Sequence, residues 1–240
     1  EEVARAQRGA SRLADIQRNW GSKKMNSPGA SITLKETSRR GTGSQTVVFY
    51  RIIADGMPKD KLYSLVLTSF DLQPKLILAG ITIDERGQAV CSGLPGACGD
   101  REKPNDPVDL GLVAAKGEPK RFTLVSEDGT VKAFNYAILF PVQGADGGCS
   151  IEEILLLQHA EAVLLQGFGF PPNSTVHMKA MSETEQHEAD LKADGSGDVF
   201  TVLLPYVKGK TDGTGSVTFA SQTCSPSLTY QWGLHSYREQ

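Results

Sequence analysis

Four cysteines carry the clearest chemical signal in this 240-residue sequence: Cys91, Cys98, Cys149 and Cys224. None of them forms a Cys-x-x-Cys pair and no histidine lies at a zinc-ligand spacing, so disulfide formation is the expected chemistry. Of the three possible pairings, the glycines and the proline of CSGLPGAC favour a short Cys91–Cys98 loop, which leaves Cys149 to pair with Cys224. Two disulfides predict an oxidising compartment, whereas four reduced cysteines would indicate the cytosol.

Residue patterns for catalysis or cofactor binding are missing or incomplete. No serine has glycine at both −2 and +2, and neither Gly-x-x-x-x-Gly-Lys nor Gly-x-Gly-x-x-Gly occurs. The histidines are scattered, and His177 falls in an alternating stretch, where we expect it to face solvent. ADGSGD, 193–198, spaces its polar residues like a calcium loop but lacks the required Gly and Glu, which favours a hairpin turn. We therefore expect no catalytic residue, metal or cofactor.

The N-terminal segment is basic, although the whole chain has a formal net charge of −3. Residues 1–40 contain nine Lys or Arg and four Asp or Glu, and the other residues contain 16 and 24. Over residues 1–20 the apolar side chains recur at three-four spacing, which predicts a helix followed by a linker. This arm is either solvated or docks on an acidic partner. For docking we expect its apolar stripe to be used: Val3, Leu13, Ile16 and Trp20.

Most of the remaining chain has a period of two, which is typical of half-buried strands. The predicted strands are 45–53, 62–70, 75–83, 174–181, 188–194, 198–206 and 215–221, with a hairpin over 121–140 that turns at Glu127-Asp128-Gly129. The Gly-rich stretch 142–149 is expected to separate two halves. Residues 150–167 are ambiguous, because Ser150 and Glu153 have capping-box spacing; the continuous apolar run leads us to predict two strands instead.

An internal repeat relates the two halves. Gly56-Met57-Pro58 and Gly169-Phe170-Pro171 each precede a strand, and an Asp-x-x-Gly turn follows at 84–87 and at 194–197. Two copies of one β unit are therefore expected. In this interpretation GFGFPPNSTV, 167–176, is a corner between two sheets, where the prolines end the ladder and an aromatic ring closes the core.

The motifs GFGFPPNSTV, LKADGSGDVFTVLLP and GTGSVTF resemble the immunoglobulin-like repeats of bacterial extracellular and cell-envelope proteins. The resemblance covers residues 160–222 and reaches the first half only through the internal repeat. It implies a two-sheet domain exposed outside the cytoplasm. Such domains serve as spacers, adhesion modules or docking surfaces, and the family has no shared catalytic residues.

Together these patterns predict an all-β protein with two consecutive immunoglobulin-like β-sandwich domains and an N-terminal helix. We expect the helix and linker at 1–26, the first sandwich at 27–143 and the second at 150–236. The expected function is a non-catalytic structural or interaction protein, secreted, periplasmic or surface-anchored, whose signal peptide has been removed. A protein partner or self-assembly is expected. Binding to nucleic acid and a transmembrane segment are not expected.

Two alternatives stay open at the level of sequence. One is a carbohydrate-binding module, which would need exposed aromatic side chains on one sheet. The candidates for such a surface are Phe168, Phe170, Tyr206, Tyr230, Trp232 and Tyr237. The other is an enzyme of unrecognised type. A pocket with two polarised carboxylates or a His–carboxylate pair would favour an enzyme.

Overall fold

The chain divides into two compact units. We call the unit of Ile16–Ala114 and Pro119–Leu139 the N-terminal sandwich, and the unit of Glu1–Asp15, Ala115–Glu118 and Phe140–Gln240 the C-terminal sandwich. The structure, a computed structural model, describes residues 2–100, 103–234 and 236; the side chains of Glu2, Val3, Ser44 and Asp100 lie outside this description.

Regular structure consists of one long helix, a few single 3-10 turns and many short strands. The predicted helix is α1 (Glu2–Gly21). The strands of the N-terminal sandwich are β1 (Ser31–Arg40), β2 (Val47–Asp55), β3 (Tyr63–Thr68), β4 (Pro74–Ile83), β5 (Ala89–Cys91), β6 (Asp109–Leu112), β7 (Pro119–Ser126) and β8 (Lys132–Ile138). Those of the C-terminal sandwich are β9 (Val142–Asp146), β10 (Cys149–Leu155), β11 (Val163–Phe168), β12 (Thr175–Ser182), β13 (Glu185–Lys192), β14 (Val199–Leu203), β15 (Asp212–Ala220) and β16 (Ser227–Gly233).

The N-terminal sandwich packs an antiparallel sheet of order β1-β2-β6 against one of order β5-β4-β3-β7-β8. In β2 every second side chain is buried, as the alternating sequence predicts. Its inward residue Ile52 belongs to the same apolar cluster as Leu65 of β3 and Phe122 of β7, and all three are fully buried. The two sheets therefore share one core, as in a β-sandwich.

The C-terminal sandwich packs a sheet of order β14-β11-β10-β9 against one of order β13-β12-β15-β16. At the predicted corner, Phe170 is buried and its ring centroid lies 6.3 Å from that of Phe219 in β15. Phe168 is only half-buried, so Phe170 is the aromatic residue that closes the core. Gly167 is needed beside it, because a Cβ there would lie 2.8 Å from the Phe170 ring and 2.9 Å from the Phe219 ring.

Both sandwiches follow the same path of the chain. Each begins with a strand pair in one sheet (β1–β2, β10–β11), crosses to the other sheet for the next pair (β3–β4, β12–β13), returns for one strand (β6, β14) and ends in a hairpin (β7–β8, β15–β16). Strands β5 and β9 are additions at sheet edges. These crossings are of the Greek-key kind. The fold is therefore all-β, with two immunoglobulin-like sandwiches and an N-terminal helix, as predicted.

The internal repeat seen in the sequence corresponds to two matching loops. The Oδ1 atom of Asp84 accepts hydrogen bonds from the amides two and four residues later, at 2.9 and 2.7 Å. Asp194 does the same in the C-terminal sandwich, at 2.8 and 3.0 Å. Gly87 and Gly197 close these loops at φ +77° and +84°, in the left-handed region that favours glycine. The stretch with calcium-loop spacing is thus a turn held by its own aspartate.

Residues 150–167 form the two predicted strands β10 and β11, which pair antiparallel from Ser150↔Phe168 to Leu155↔Val163. The capping-box alternative is therefore excluded. The continuous apolar run has a structural reason, since the inner part of this sheet carries buried side chains at consecutive positions from Glu153 to Leu156.

Two local predictions were wrong. The Gly-rich stretch 142–149 does not simply separate the halves, because Val142–Asp146 pairs with β10 as strand β9. The segment after the helix is not a free linker either. Ser27 donates its amide to the Lys132 carbonyl at 2.8 Å, and the Asn26 side chain accepts from the Phe134 amide at 2.9 Å, so this segment is tied to β8. The sandwich boundaries 27–143 and 150–236 stay a prediction.

We expect Gly197→Ala to destabilise the C-terminal sandwich by about 2 kcal/mol or more, because it forces a Cβ into the left-handed region. That Cβ would also lie 2.2 Å from the Phe170 carbonyl oxygen. Urea denaturation followed by the fluorescence of buried Trp232 measures the loss. The matched control is Gly195→Ala in the same loop, where a Cβ meets nothing within 4 Å and a change within about 0.5 kcal/mol is expected. Equal losses in the two variants would contradict the proposed strain.

Candidate functional site

Both expected disulfides are formed, and each lies within one sandwich. Cys91, at the end of β5, bonds to Cys98 in a 3-10 turn, with 5.9 Å between the Cα atoms. Cys149, at the start of β10, bonds to Cys224 in the loop between β15 and β16, with 6.1 Å between the Cα atoms. The second bond therefore joins the two sheets of the C-terminal sandwich. All four cysteines are buried.

The stripe of helix α1 that was expected to meet a partner is used in part within the chain. The Trp20 indole donates its Nε1–H to the Phe122 carbonyl at 3.1 Å, and its ring meets the Phe134 ring edge-on at 5.3 Å between centroids. Leu13 and Ile16 are half-buried, and the side chain of Val3 lies outside the described part of the chain. Of the expected docking stripe, Trp20 therefore packs within the protein. Docking on a partner stays a prediction.

A buried polar contact also fastens the end of α1 to the N-terminal sandwich. Arg121 of β7 donates its Nε–H to the side-chain oxygen Oε1 of Gln17 at 2.6 Å, and both residues are at most 2% exposed. A buried guanidinium is costly unless it is hydrogen-bonded, so this contact stabilises the packing of the last turns of the helix on β7. Sequence reasoning missed it, because Gln17 is a polar residue within the apolar stripe.

The opposite face of α1 is basic and open to solvent. Arg5, Arg8 and Arg12 are all exposed and recur at three-four spacing, which places them on one face of the helix. Asp15 is also exposed and lies beside them. The helix thus presents a cluster of guanidinium groups to solvent while Ala10, Ala14 and Gln17 are buried.

A cavity of about 580 Å³ opens between the two sheets of the C-terminal sandwich. One wall comes from β9 and β10, through Val142, Glu153 and Leu155, and the other from β15 and β16, through Ser216 and Tyr230. Its wall mixes polar side chains such as Glu153 and Ser216 with apolar ones such as Val142 and Leu155, a composition that suits a small ligand with a polar group.

Glu153 is the unusual residue of this cavity. It is 2% exposed, and its Oε2 atom has no hydrogen-bond partner among the described residues. Burial raises the pKa of the Glu153 carboxyl to about 8, because the charged form is disfavoured away from water. The acid is therefore largely protonated at neutral pH. Its Oε2 atom has no hydrogen-bond partner among the described residues in this state either.

Tyr230 lies next to the same space. Its hydroxyl donates to the Met181 carbonyl at 3.4 Å, and burial, together with the negative charge of Glu153, raises the pKa of this phenol. Gly215 of the neighbouring strand leaves room for the ring, since a Cβ there would lie 2.4 Å from the ring carbon that carries the hydroxyl. Tyr230 therefore stays a neutral phenol at physiological pH.

The second carboxylate at the cavity, Glu183, is engaged on both oxygens. Oε2 accepts from the Lys210 ammonium at 2.8 Å, and Oε1 accepts from the Thr214 amide at 2.8 Å. These contacts, led by the Lys210 hydrogen bond, lower the pKa of Glu183. Glu183 thus anchors the turn between β12 and β13 to β15.

The aromatic residues proposed for a sugar surface do not share one. Phe170, Tyr230 and Trp232 are buried, Phe168 is half-buried, and Tyr206 is 47% exposed. Tyr237 lies outside the described residues. His177 faces solvent as expected, and its Nδ1 lies 2.9 Å from Asp190 Oδ1 on the adjacent strand. This His–carboxylate pair lies on an open sheet face, and neither residue lines the cavity.

Within the part of the chain that the structure describes, no helix combines the length and apolar character needed to cross a membrane. The same residues contain no group of three or more His, Cys, Asp or Glu side chains placed to hold a metal ion.

Comparison with known proteins leaves the family open. No protein-family model matches the chain, and no curated protein is significantly similar to it. Among solved structures, it is similar to a tetra-tandem repeat from the extending region of a large adhesion protein, at 10% identity and a TM-score of 0.27, covering 85% of this chain and 49% of that one. This chain thus spans about half the length of that adhesion structure.

Two other solved structures show weaker similarity. A two-domain fibronectin type III segment of chicken tenascin matches at 15% identity and a TM-score of 0.23, over 86% of this chain and 99% of that one. A pullulanase from Anoxybacillus sp. LM18-11 matches at 10% identity and a TM-score of 0.20, over 83% of this chain and 25% of that one. Similarity at this level does not indicate a shared function.

Sequence reasoning did not find the cavity, although one signal for it was present. In SIEEILLL, Glu153 occupies a position whose alternate neighbours Ile151 and Leu155 are buried. An acidic residue at an inward position of a strand is a buried charge that needs a partner. The neighbouring Glu152 faces the other side of β10, so the two glutamates have different environments.

We expect removal of either disulfide to weaken only the sandwich that contains it. In the chain-entropy model, Cys149→Ala with Cys224→Ala costs about 4.5 kcal/mol and Cys91→Ala with Cys98→Ala about 2.5 kcal/mol, because the first bond closes a much longer loop. Urea denaturation of each double variant is followed through Trp20 in one sandwich and Trp232 in the other. Equal losses at both tryptophans for either variant would contradict this assignment.

We expect Glu153 to make stability depend on pH. Its folded pKa of about 8 exceeds the ordinary value of 4.5, so the unfolded chain releases the proton first and stability falls as pH rises from about 5 to about 8. Glu153→Gln mimics the protonated acid and should match the parent near pH 5 but exceed it by a few kcal/mol above pH 8. Denaturation midpoints across this range measure the difference. The control Glu161→Gln, at an exposed residue, should follow the parent at every pH. Parallel curves for Glu153→Gln and the parent would refute the assignment.

Proposed function

We propose that this protein is a non-catalytic interaction module of an oxidising compartment outside the cytoplasm, and that it binds an acidic protein partner through helix α1. The single observation that carries the proposal is the exposed arginine face of a helix whose other face is buried: Arg5, Arg8 and Arg12 face solvent while Ala10, Ala14 and Gln17 do not. Guanidinium groups bind carboxylates in bidentate geometry, which suits recognition of an acidic surface.

The anchoring of the last turns of the helix supports this role. The Trp20 and Gln17 contacts with the N-terminal sandwich hold the last turns of α1 in place. A pre-positioned helix loses less conformational entropy on binding than a solvated arm would. The same anchoring contacts favour the arginine face over the apolar stripe as the surface that meets a partner.

The two disulfides support the compartment. Cystine bridges persist where thiols are not kept reduced, which includes the periplasm and the extracellular space. Each sandwich has its own bridge, so both are adapted to the same environment. Secretion or attachment to the cell envelope is the corresponding proposal for location.

A catalytic role has less support from the cavity. Its two carboxylates are the arrangement that would favour an enzyme, but both oxygens of Glu183 are engaged by Lys210 and the Thr214 amide. Glu183 therefore acts as a structural anchor. A carbohydrate-binding role has less support as well, because three of the described aromatic candidates, Phe170, Tyr230 and Trp232, pack in the core.

Site-specific photo-crosslinking in the native host tests the partner surface. A benzophenone amino acid at Arg8 should give an adduct with an acidic protein, whereas one at exposed Lys192 of β13 should give none. The adduct should disappear when Arg5 and Arg12 are changed to Glu. It should survive the matched reversal Lys75→Glu with Lys208→Glu, at two other exposed cations. Circular dichroism confirms that both double variants fold. Equal adducts from the two probe positions, or an adduct that survives arginine reversal, would overturn the docking proposal.

Acid quenching followed by alkylation of the native protein tests the compartment separately. Mass measurement should show no alkylated cysteine before reduction and four after it. Alkylation of all four cysteines before reduction would place the protein in a reducing compartment and overturn that part of the proposal.

A further inference from the structure

We infer that the cavity between the sheets of the C-terminal sandwich is a binding site for a small organic ammonium ion, with the Glu153 carboxylate as its acceptor. This inference goes beyond the proposed function and does not depend on it. A partner could bind helix α1 whether or not the cavity is used, because the Arg5, Arg8 and Arg12 side chains are not among the residues that line it.

The size of the cavity sets the size of the ligand. At about 580 Å³ it falls within the range of pockets that enclose small organic molecules and is far larger than one water needs. Leu155, Ala160 and Met181 form the apolar part of its wall, and polar residues form the rest. A ligand that matches this wall combines a compact apolar part with a polar group.

The polar group is specified by Glu153. Its Oε2 atom is buried and has no hydrogen-bond partner among the described residues, whereas buried carboxylate oxygens in proteins are nearly always paired. The residue lines the cavity while its Oε2 atom is shielded from solvent, so binding requires the carboxyl group to turn toward a donor on a ligand. The vacant acceptor thus calls for a ligand group with N–H or O–H bonds.

The other charged groups at the cavity favour a cation over an anion. Glu183 is negative, and Lys210 already balances its charge. Lys116 lines the rim, and because its side chain is exposed, its charge is hydrated. The charge for a ligand to neutralise is therefore the one that Glu153 acquires when it loses its proton, and an ammonium ion both neutralises it and donates to Oε2.

Binding of an ammonium ion to Glu153 should release a measurable proton. The pKa of Glu153 is about 8, so the acid must lose its proton when it pairs with an ammonium ion at pH 7. Among the described residues, the other titratable groups that face the cavity are Tyr230, Glu183 and Lys116. The pKa of Tyr230 is raised and that of Glu183 is lowered, so both keep their charge state near neutrality. Affinity should therefore rise with pH up to about 8.

Titration calorimetry with three probes of one shape tests the inference: benzylamine in its ammonium form, benzyl alcohol and benzoate. We expect benzylammonium to bind the full chain with release of close to one proton at pH 7, measured in two buffers of different ionisation enthalpy. Benzyl alcohol should bind at least about tenfold more weakly, because it lacks the charge-assisted hydrogen bond. Benzoate should not bind. Equal affinity for the alcohol, binding without proton release, or no binding of the ammonium probe would each overturn the inference.

A pair of variants on one strand locates the site. Glu153→Gln keeps the shape of the protonated acid and should weaken benzylammonium binding about tenfold and abolish proton release. Glu152→Gln, adjacent on β10 but not lining the cavity, should leave both unchanged. An undiminished affinity in Glu153→Gln, or an equal loss in Glu152→Gln, would overturn the assignment of Glu153. The proton count on the unmodified protein needs no variant, so the inference stays testable if Glu153→Gln does not fold.

Discussion

The apolar layer between paired sheets is the interaction on which both sandwiches depend. In the N-terminal sandwich, side chains such as Ile52, Leu65 and Phe122 come from two sheets and are fully buried in one cluster. A sheet alone leaves one hydrophobic face in water, so neither sheet is stable without its mate. The crossings of the chain between sheets, and the turns that make them, follow from this requirement.

The loops between the sheets require special backbone geometry. At both Asp-x-x-Gly turns the aspartate carboxylate satisfies the backbone amides that the ladder leaves unpaired, and a glycine adopts positive φ. The Cys149–Cys224 bond adds a covalent link between a sheet and the loop that leaves the opposite sheet. Together they restrict the unfolded chain as well as the folded one. The Asp-x-x-Gly turn is thus used in both sandwiches, whereas the long-range disulfide belongs to the C-terminal sandwich.

Glu153 is the exception that gives this layer a chemical feature. A carboxyl in an apolar core lowers stability at neutral and alkaline pH unless something neutralises it, and its neighbours Tyr230 and Leu155 do not. A buried carboxyl that lowers stability and lies next to a cavity is more typical of a binding site than of a structural core. Glu183, by contrast, accepts hydrogen bonds on both carboxylate oxygens and holds a turn in place. The two carboxylates of one cavity thus have separate roles, one at the ligand and one in the scaffold.

The sequence by itself determined the all-β class, the helix, the cystine pairing and the repeated unit, because alternation, loop composition and Asp-x-x-Gly turns are local signals. It did not predict β9 or β1, since Gly-rich and polar edge strands lack the alternation that marks a half-buried strand. Only the tertiary structure decided that Trp20 packs on Phe134, that Arg121 meets Gln17, and that Glu153 points into a cavity. Each of these contacts joins residues on different strands or elements. Sheet order and packing, which the chain settles only when it folds, bring them together.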